Sequence, residues 1–147
     1  LIKSIKNKNI KLVLVGGYRD KQYYKKCVGE GLDNTIFIER LPARSEIIRS
    51  ALSESLAYIE CSEAPPSLSS IEAGLTGCKM ILPKTDWVVE HFGKNVNFIN
   101  SNNEEDLWDQ INNTIKLNSI NNLQESLSKF CENNSIKDLI KIIEEVK

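Results

Sequence analysis

The chain has 147 residues, 41% of them hydrophobic, and its 19 basic and 20 acidic side chains leave a formal net charge of −1. That is enough chain for one globular domain with a real core, and too little for two. The near balance of charge offers no basic stripe for nucleic acid, and the longest apolar runs are strand-sized, far below the roughly 20 residues that cross a bilayer. A soluble protein with no signal peptide is expected.

The first residues, LIKSIKNKNI, read as the middle of a helix, so the chain is expected to be a fragment of a longer one. KLVLVGG (11–17) is apolar and β-branched, with the composition of a strand buried on both faces and a glycine turn at its end. Helical spacing follows through Tyr23, Tyr24, Cys27 and Val28. TIFIERLP is a second strand closed by Pro42, and ARSEIIRSALSES an amphipathic helix with Ile47, Ile48, Ala51 and Leu52 on one face. LAYIEC is a third strand, SLSSIEAGLTGC a short helix ended by Gly77, and KMILP a fourth strand. DWVVEHFG is a helix with a terminal glycine, VNFIN a fifth strand, and from Glu104 the periodicity is helical to the end.

Short strands alternating with helices give an α/β fold: a Rossmann-like parallel sheet with helices on both faces, ending in C-terminal helices, as a single domain over 1–147. Such sheets bind ligands at the carboxyl ends of their strands. The loops that matter are then 16–20, 39–44, 60–69 and 83–87. The four cysteines lie far apart with no CxxC pair and read as buried thiols of a reducing compartment. His91 has no ligand-spaced partner and reads as a surface or helix-end residue, and no bound metal is expected. Trp87 and Phe92 read as packing residues, and Trp108 joins Leu107, Ile111 and Ile115 in a buried stripe. GGYRDK lacks the G-x-G-x-x-G pattern and reads as a tight turn.

CSEAPPSLSSIEAGLTGC (61–78) carries the chemistry. It joins the third strand to a helix whose free N–H groups would face the crevice, a natural seat for phosphate. Pro65 and Pro66 stiffen the approach, Ser67, Ser69 and Ser70 can cap or donate, and Glu72 is expected in the first helical turn. A carboxylate there can accept from the two adjacent hydroxyls of a ribose, and Glu63 can reach hydroxyls further along. Acidic residues also occur in first turns because they suit the helix dipole, and Glu63 alone can be a solvated loop charge.

The run SEAPPSLSSIEAGLTGCKMILP, followed by EHFG, resembles the signature of family-four retaining glycosyltransferases of the GT-B fold. KLVLVGGY, TIFIERLP and EHFGKNVNFIN resemble the family's flanking segments, so the likeness spans nearly the whole chain. The resemblance implies the C-terminal half of a GT-B glycosyltransferase, a nucleotide-sugar-binding domain that holds a UDP-sugar or GDP-sugar and needs no other cofactor. It implies a ribose contact for Glu72 and a catalytic contact with the donor sugar for Glu63. Donor-binding positions carry to Gly16, Gly17, Arg19, Ala64, Pro66, Ser67, Leu68 and Ser69.

The chain departs from the family pattern in three places. Eight residues rather than seven separate Glu63 from Glu72, which places Ala64 at the family spacing and favours a bulged loop. Glu39 stands where the family usually has glycine. The family's phosphate-binding Arg and Lys, and its N-terminal acceptor domain, would lie upstream of Leu1, so the fragment alone is expected to be inactive. The full-length enzyme would be a hexosyltransferase acting on a glycan or lipid-linked acceptor in polysaccharide biosynthesis, cytoplasmic or peripheral at the inner face of a membrane. The alternatives are a non-catalytic GT-B-like nucleotide-binding module and a nucleotide-sugar epimerase domain.

Overall fold

The computed structural model describes residues 1–31, 33–42, 45–61, 68–99, 103–117 and 123–145. Helices and strands alternate through the first two thirds: α1 (Ile2–Ile5), β1 (Leu12–Val15), α2 (Lys21–Glu30), β2 (Thr35–Ile38), α3 (Glu46–Glu54), β3 (Tyr58–Ile59), α4 (Leu68–Leu75), β4 (Met80–Pro83), α5 (Asp86–Phe92) and β5 (Asn97–Ile99). Then come α6 (Glu104–Lys116), α7 (Leu123–Leu127), a short 3₁₀ turn (Ser128–Phe130) and α8 (Glu132–Glu145). The α/β class and the parallel strand direction follow the sequence pattern.

Side chains written into the sequence set many of the helix boundaries. Asp20, Ser45, Thr85 and Asn103 each accept a hydrogen bond from a first-turn N–H, capping α2, α3, α5 and α6. At the other end of α4, Gly77 adopts φ +81°, its N–H bonds to Gly74 O, and Cys78 N–H bonds back to Ala73 O. That pairing is the Schellman arrangement, and it satisfies carbonyls the helix end would otherwise leave open.

The strands pair as two parallel sheets among the described residues, β1 with β2 and β3-β4-β5, rather than as the single sheet expected. β4 is the middle strand of the three-stranded sheet. Its alternating side chains point to opposite faces, so Met80 and Leu82 enter one cluster with Ile71, Val88, Phe92 and Leu127 from α4, α5 and α7. Ile81 enters the other, with Ile5, Leu107 and Ile111 from α1 and α6. Helices therefore cover both faces of the three-stranded sheet. Trp87 and Phe92 pack in the first cluster, and Leu107, Trp108, Ile111 and Ile115 in the second, as their spacing indicates.

The second cluster also joins the two sheets. Ile10 and Leu12 from the β1 side and Ala57 and Ile59 from the β3 side pack against the same buried group, so apolar packing links strands that share no ladder. Asn34 adds a polar tie, its side-chain amide donating to the carbonyls of Ile5 and Lys8.

Three burial expectations are corrected. β1 is not buried on both faces: Leu12 and Leu14 are half-buried, whereas Val13 and Val15 are exposed beside their register partners Ile36 and Ile38. Burial on both sides requires a covering layer, and no described helix covers that face. The apolar face of α3 is only partly used: Leu52 packs on the core, but Ile47 is 64% exposed. Of the four thiols only Cys78 is buried; Cys27 is half-buried, and Cys61 and Cys131 are exposed. His91 closes α5, as its position indicates, and its ring stacks between Trp87 and Phe130 at centroid distances of 4.2 and 5.4 Å.

Candidate functional site

Parallel strands present their free carboxyl ends to one crevice, and the loops that leave them build its walls. At the ends of β1 and β2 the described residues enclose a cleft of about 240 Å³, lined by Leu14, Gly16, Gly17, Tyr18, Tyr24 and Glu39 among others. Gly16 leaves the strand with φ +143°, a conformation side-chain-bearing residues rarely adopt, and a Cβ built at either glycine meets nothing within 4 Å. The backbone there is open to close approach by a ligand. Tyr18 and Tyr24 stack at 4.0 Å and 9°, and Tyr24 meets Phe37 edge-on at 5.6 Å, which gives the cleft a firm aromatic wall.

The start of α2 adjoins this cleft, but two of its first-turn donors are already engaged. Asp20 Oδ1 accepts from Gln22 N–H at 2.8 Å and Tyr23 N–H at 3.0 Å, so a carboxylate neutralises the positive helix end. A second, larger cleft of about 390 Å³ lies between α1 and α6. There Lys3, Lys6 and Lys8 face Glu104, Glu105 and Asp109, so its charges compensate one another.

The carboxyl end of β3 holds a short polar relay. Tyr58 and Glu60 are two residues apart in extended chain, so their side chains share a face. Tyr58 Oη donates to Glu60 Oε2 at 3.1 Å and lies 3.2 Å from Ser69 Oγ on the first turn of α4. Because the tyrosine's single hydrogen goes to the carboxylate, the serine hydroxyl donates to the tyrosine oxygen, and the chain runs Ser69 to Tyr58 to Glu60. Burial pushes the Tyr58 hydroxyl up to about 12, so it keeps its hydrogen at neutral pH. Burial also lifts the Glu60 carboxyl above its ordinary range, against the opposing pull of the Tyr58 hydrogen bond.

Of the residues the sequence assigns to donor binding, Gly16 and Gly17 line the cleft, and Arg19 lies on the exposed loop beside it. Leu68 is exposed at the start of α4, and Ser69 joins the relay. Glu72 is half-buried, and it lies in the second turn of α4 rather than the first, since the helix begins at Leu68 and its first turn carries no acidic residue. Glu63, Ala64, Pro66 and Ser67 lie outside the described residues. Ser69 and Glu72, three residues apart, share the side of α4 that carries the relay contact.

Sequence reasoning gave no role to Tyr24, Tyr58 or Glu60. The detectable signal for the last two was period-two spacing of a tyrosine and a glutamate in an otherwise apolar strand ahead of a ligand-facing loop. Among the described residues, no group of three or more His, Cys, Asp or Glu could hold a metal ion, and no helix is long and apolar enough to cross a membrane. Comparison with known proteins finds no matching family model and no matching curated protein.

Proposed function

We propose that this chain is a nucleotide-sugar-binding domain of a retaining glycosyltransferase. The observation that carries the reading is the open Gly16-Gly17 backbone at the carboxyl ends of paired parallel strands, in a cleft walled by stacked Tyr18 and Tyr24. Its sequence support is the family-four resemblance across residues 62–83. A nucleoside diphosphate fits this chemistry: an aromatic wall for the base, unencumbered backbone for the diphosphate, and Glu72 for the ribose hydroxyls.

In the complete enzyme the bond between the anomeric carbon and the diphosphate oxygen breaks. A bond from the acceptor oxygen forms on the same face, and the acceptor's hydroxyl proton passes to the departing diphosphate. The domain's part is electrostatic. The start of α4 is the helix end this reading assigns to the negative charge that grows on the leaving group.

Amide-resolved NMR titration of this chain with UDP, GDP and ADP at millimolar concentrations tests the reading. Selective shifts at Gly16, Gly17, Ser69 and Glu72 for one nucleotide support it and name the base. Silence at all four amides with all three nucleotides overturns it.

A further inference from the structure

Among the described residues, Glu60 accepts a single side-chain hydrogen bond. Oε2 takes the Tyr58 hydrogen, and no hydrogen bond to Oε1 is present among the described residues. The side chain is held in place: it extends from the end of β3, whose ladder continues through Glu60 N–H to Ile81 O at 3.0 Å, and Tyr58 is itself fixed by Ser69. A partly desolvated carboxylate favours any hydroxyl that reaches its open oxygen, since a hydrogen bond to a charged acceptor is among the stronger polar contacts.

Ser69 links this group to α4, where Glu72 stands one turn further on. Two carboxylates therefore stand on separate elements joined by the Tyr58–Ser69 contact, one at a strand end and one on a helix. Glu72 accounts for the ribose in the reading above, which leaves Glu60 for the other polyhydroxylated part of the ligand.

We propose that Glu60 is a specificity-determining residue that accepts a hydrogen bond from a hydroxyl of the donor sugar through Oε1, with Tyr58 as its positioning residue. The inference rests on the nucleotide-sugar reading. It adds a sugar contact on the strand itself, independent of where the 62–67 segment places Glu63.

The test compares affinities of the parent chain, Glu60→Gln, Glu60→Ala and Tyr58→Phe for UDP and GDP and for UDP-glucose, UDP-N-acetylglucosamine and GDP-mannose. In the parent, at least one sugar nucleotide binds more tightly than its free nucleotide. Glu60→Ala loses that sugar increment, by roughly tenfold to a hundredfold, while free-nucleotide affinity stays unchanged and certifies the fold. Glu60→Gln, which keeps an acceptor without the charge, loses less, and Tyr58→Phe falls between the parent and Glu60→Ala.

Equal weakening of nucleotide and sugar nucleotide, or an increment unchanged in Glu60→Ala, overturns the assignment but leaves the domain's reading intact. So does a parent that binds free nucleotide as tightly as every sugar nucleotide. A parent that binds none of the nucleotides overturns both.

Discussion

Tyr58 and Glu60 share a hydrogen bond of 3.1 Å on one face of the chain at the end of β3, and both bind their protons more tightly folded than unfolded. The two shifts act in separate pH windows. Above the ordinary carboxyl value of 4.5 the folded state holds more protons than the unfolded state, so stability falls as pH rises through the raised Glu60 value. Tyr58 repeats the loss between its ordinary 10.0 and about 12. Denaturant midpoints of Glu60→Gln followed from about pH 4 to about pH 8 therefore decline less than the parent's, and the variant gains relative to the parent toward neutrality. Tyr58→Phe correspondingly resists unfolding above pH 10. Parallel pH profiles for parent and variants would sink this account.

Gly74 is where α4 meets α7. A Cβ there would run into the Leu127 side chain, which is fully buried, and would approach Leu123 Cδ2 to 3.3 Å. Replacing glycine by alanine inside a helix ordinarily gains about 1 kcal/mol. Overpacking a closed core costs about 1 to 3 kcal/mol. Leu127 is enclosed on all sides, so the packing cost prevails and Gly74→Ala lowers stability by about 1 kcal/mol. Equilibrium urea unfolding measures the change, and a higher midpoint in the variant would show that α7 yields freely.

Asp20 matters more to α2 than an ordinary cap does, because α2 fully buries none of its residues and has little core packing to lean on. Asp20→Ala removes acceptors for Gln22 N–H and Tyr23 N–H and costs about 1 kcal/mol, whereas Asp20→Asn restores most of it. Hydrogen exchange resolves the effect: amides of α2 lose protection in the alanine variant, and those of β4 keep theirs. Uniform loss across the chain would mean that α2 opens only with the whole domain.

Local chemistry in this chain is legible from the residues alone. Gly77 marks the end of α4 because a left-handed turn needs a residue without a Cβ, and it appears in that conformation. The stripe of Leu107, Ile111 and Ile115 places α6 on the core because helical period and apolar spacing coincide. The glycines of the first loop reach the cleft because a loop leaving a parallel strand at its carboxyl end has nowhere else to go.

Burial and pairing were not legible in the same way. The apolar run of β1 has the composition of a strand covered on both sides, yet Val13 and Val15 are exposed, since covering depends on elements distant in sequence. The same holds for Ile47 and for the exposed thiols of Cys61 and Cys131. Sequence reasoning gave Glu60 no role. Its bond to Tyr58 runs along β3, and only the meeting of β3 with α4 added Ser69 to that pair.

The sequence by itself determined the order of strands and helices, their caps, and which loops leave the carboxyl ends of the strands, because each depends on residues within a few positions of one another. The tertiary structure decided that the strands pair as two sheets among the described residues, which apolar faces find cover, and which carboxylate Tyr58 and Ser69 hold in place. Those outcomes depend on contacts between segments far apart in the chain, whose partners no local pattern specifies.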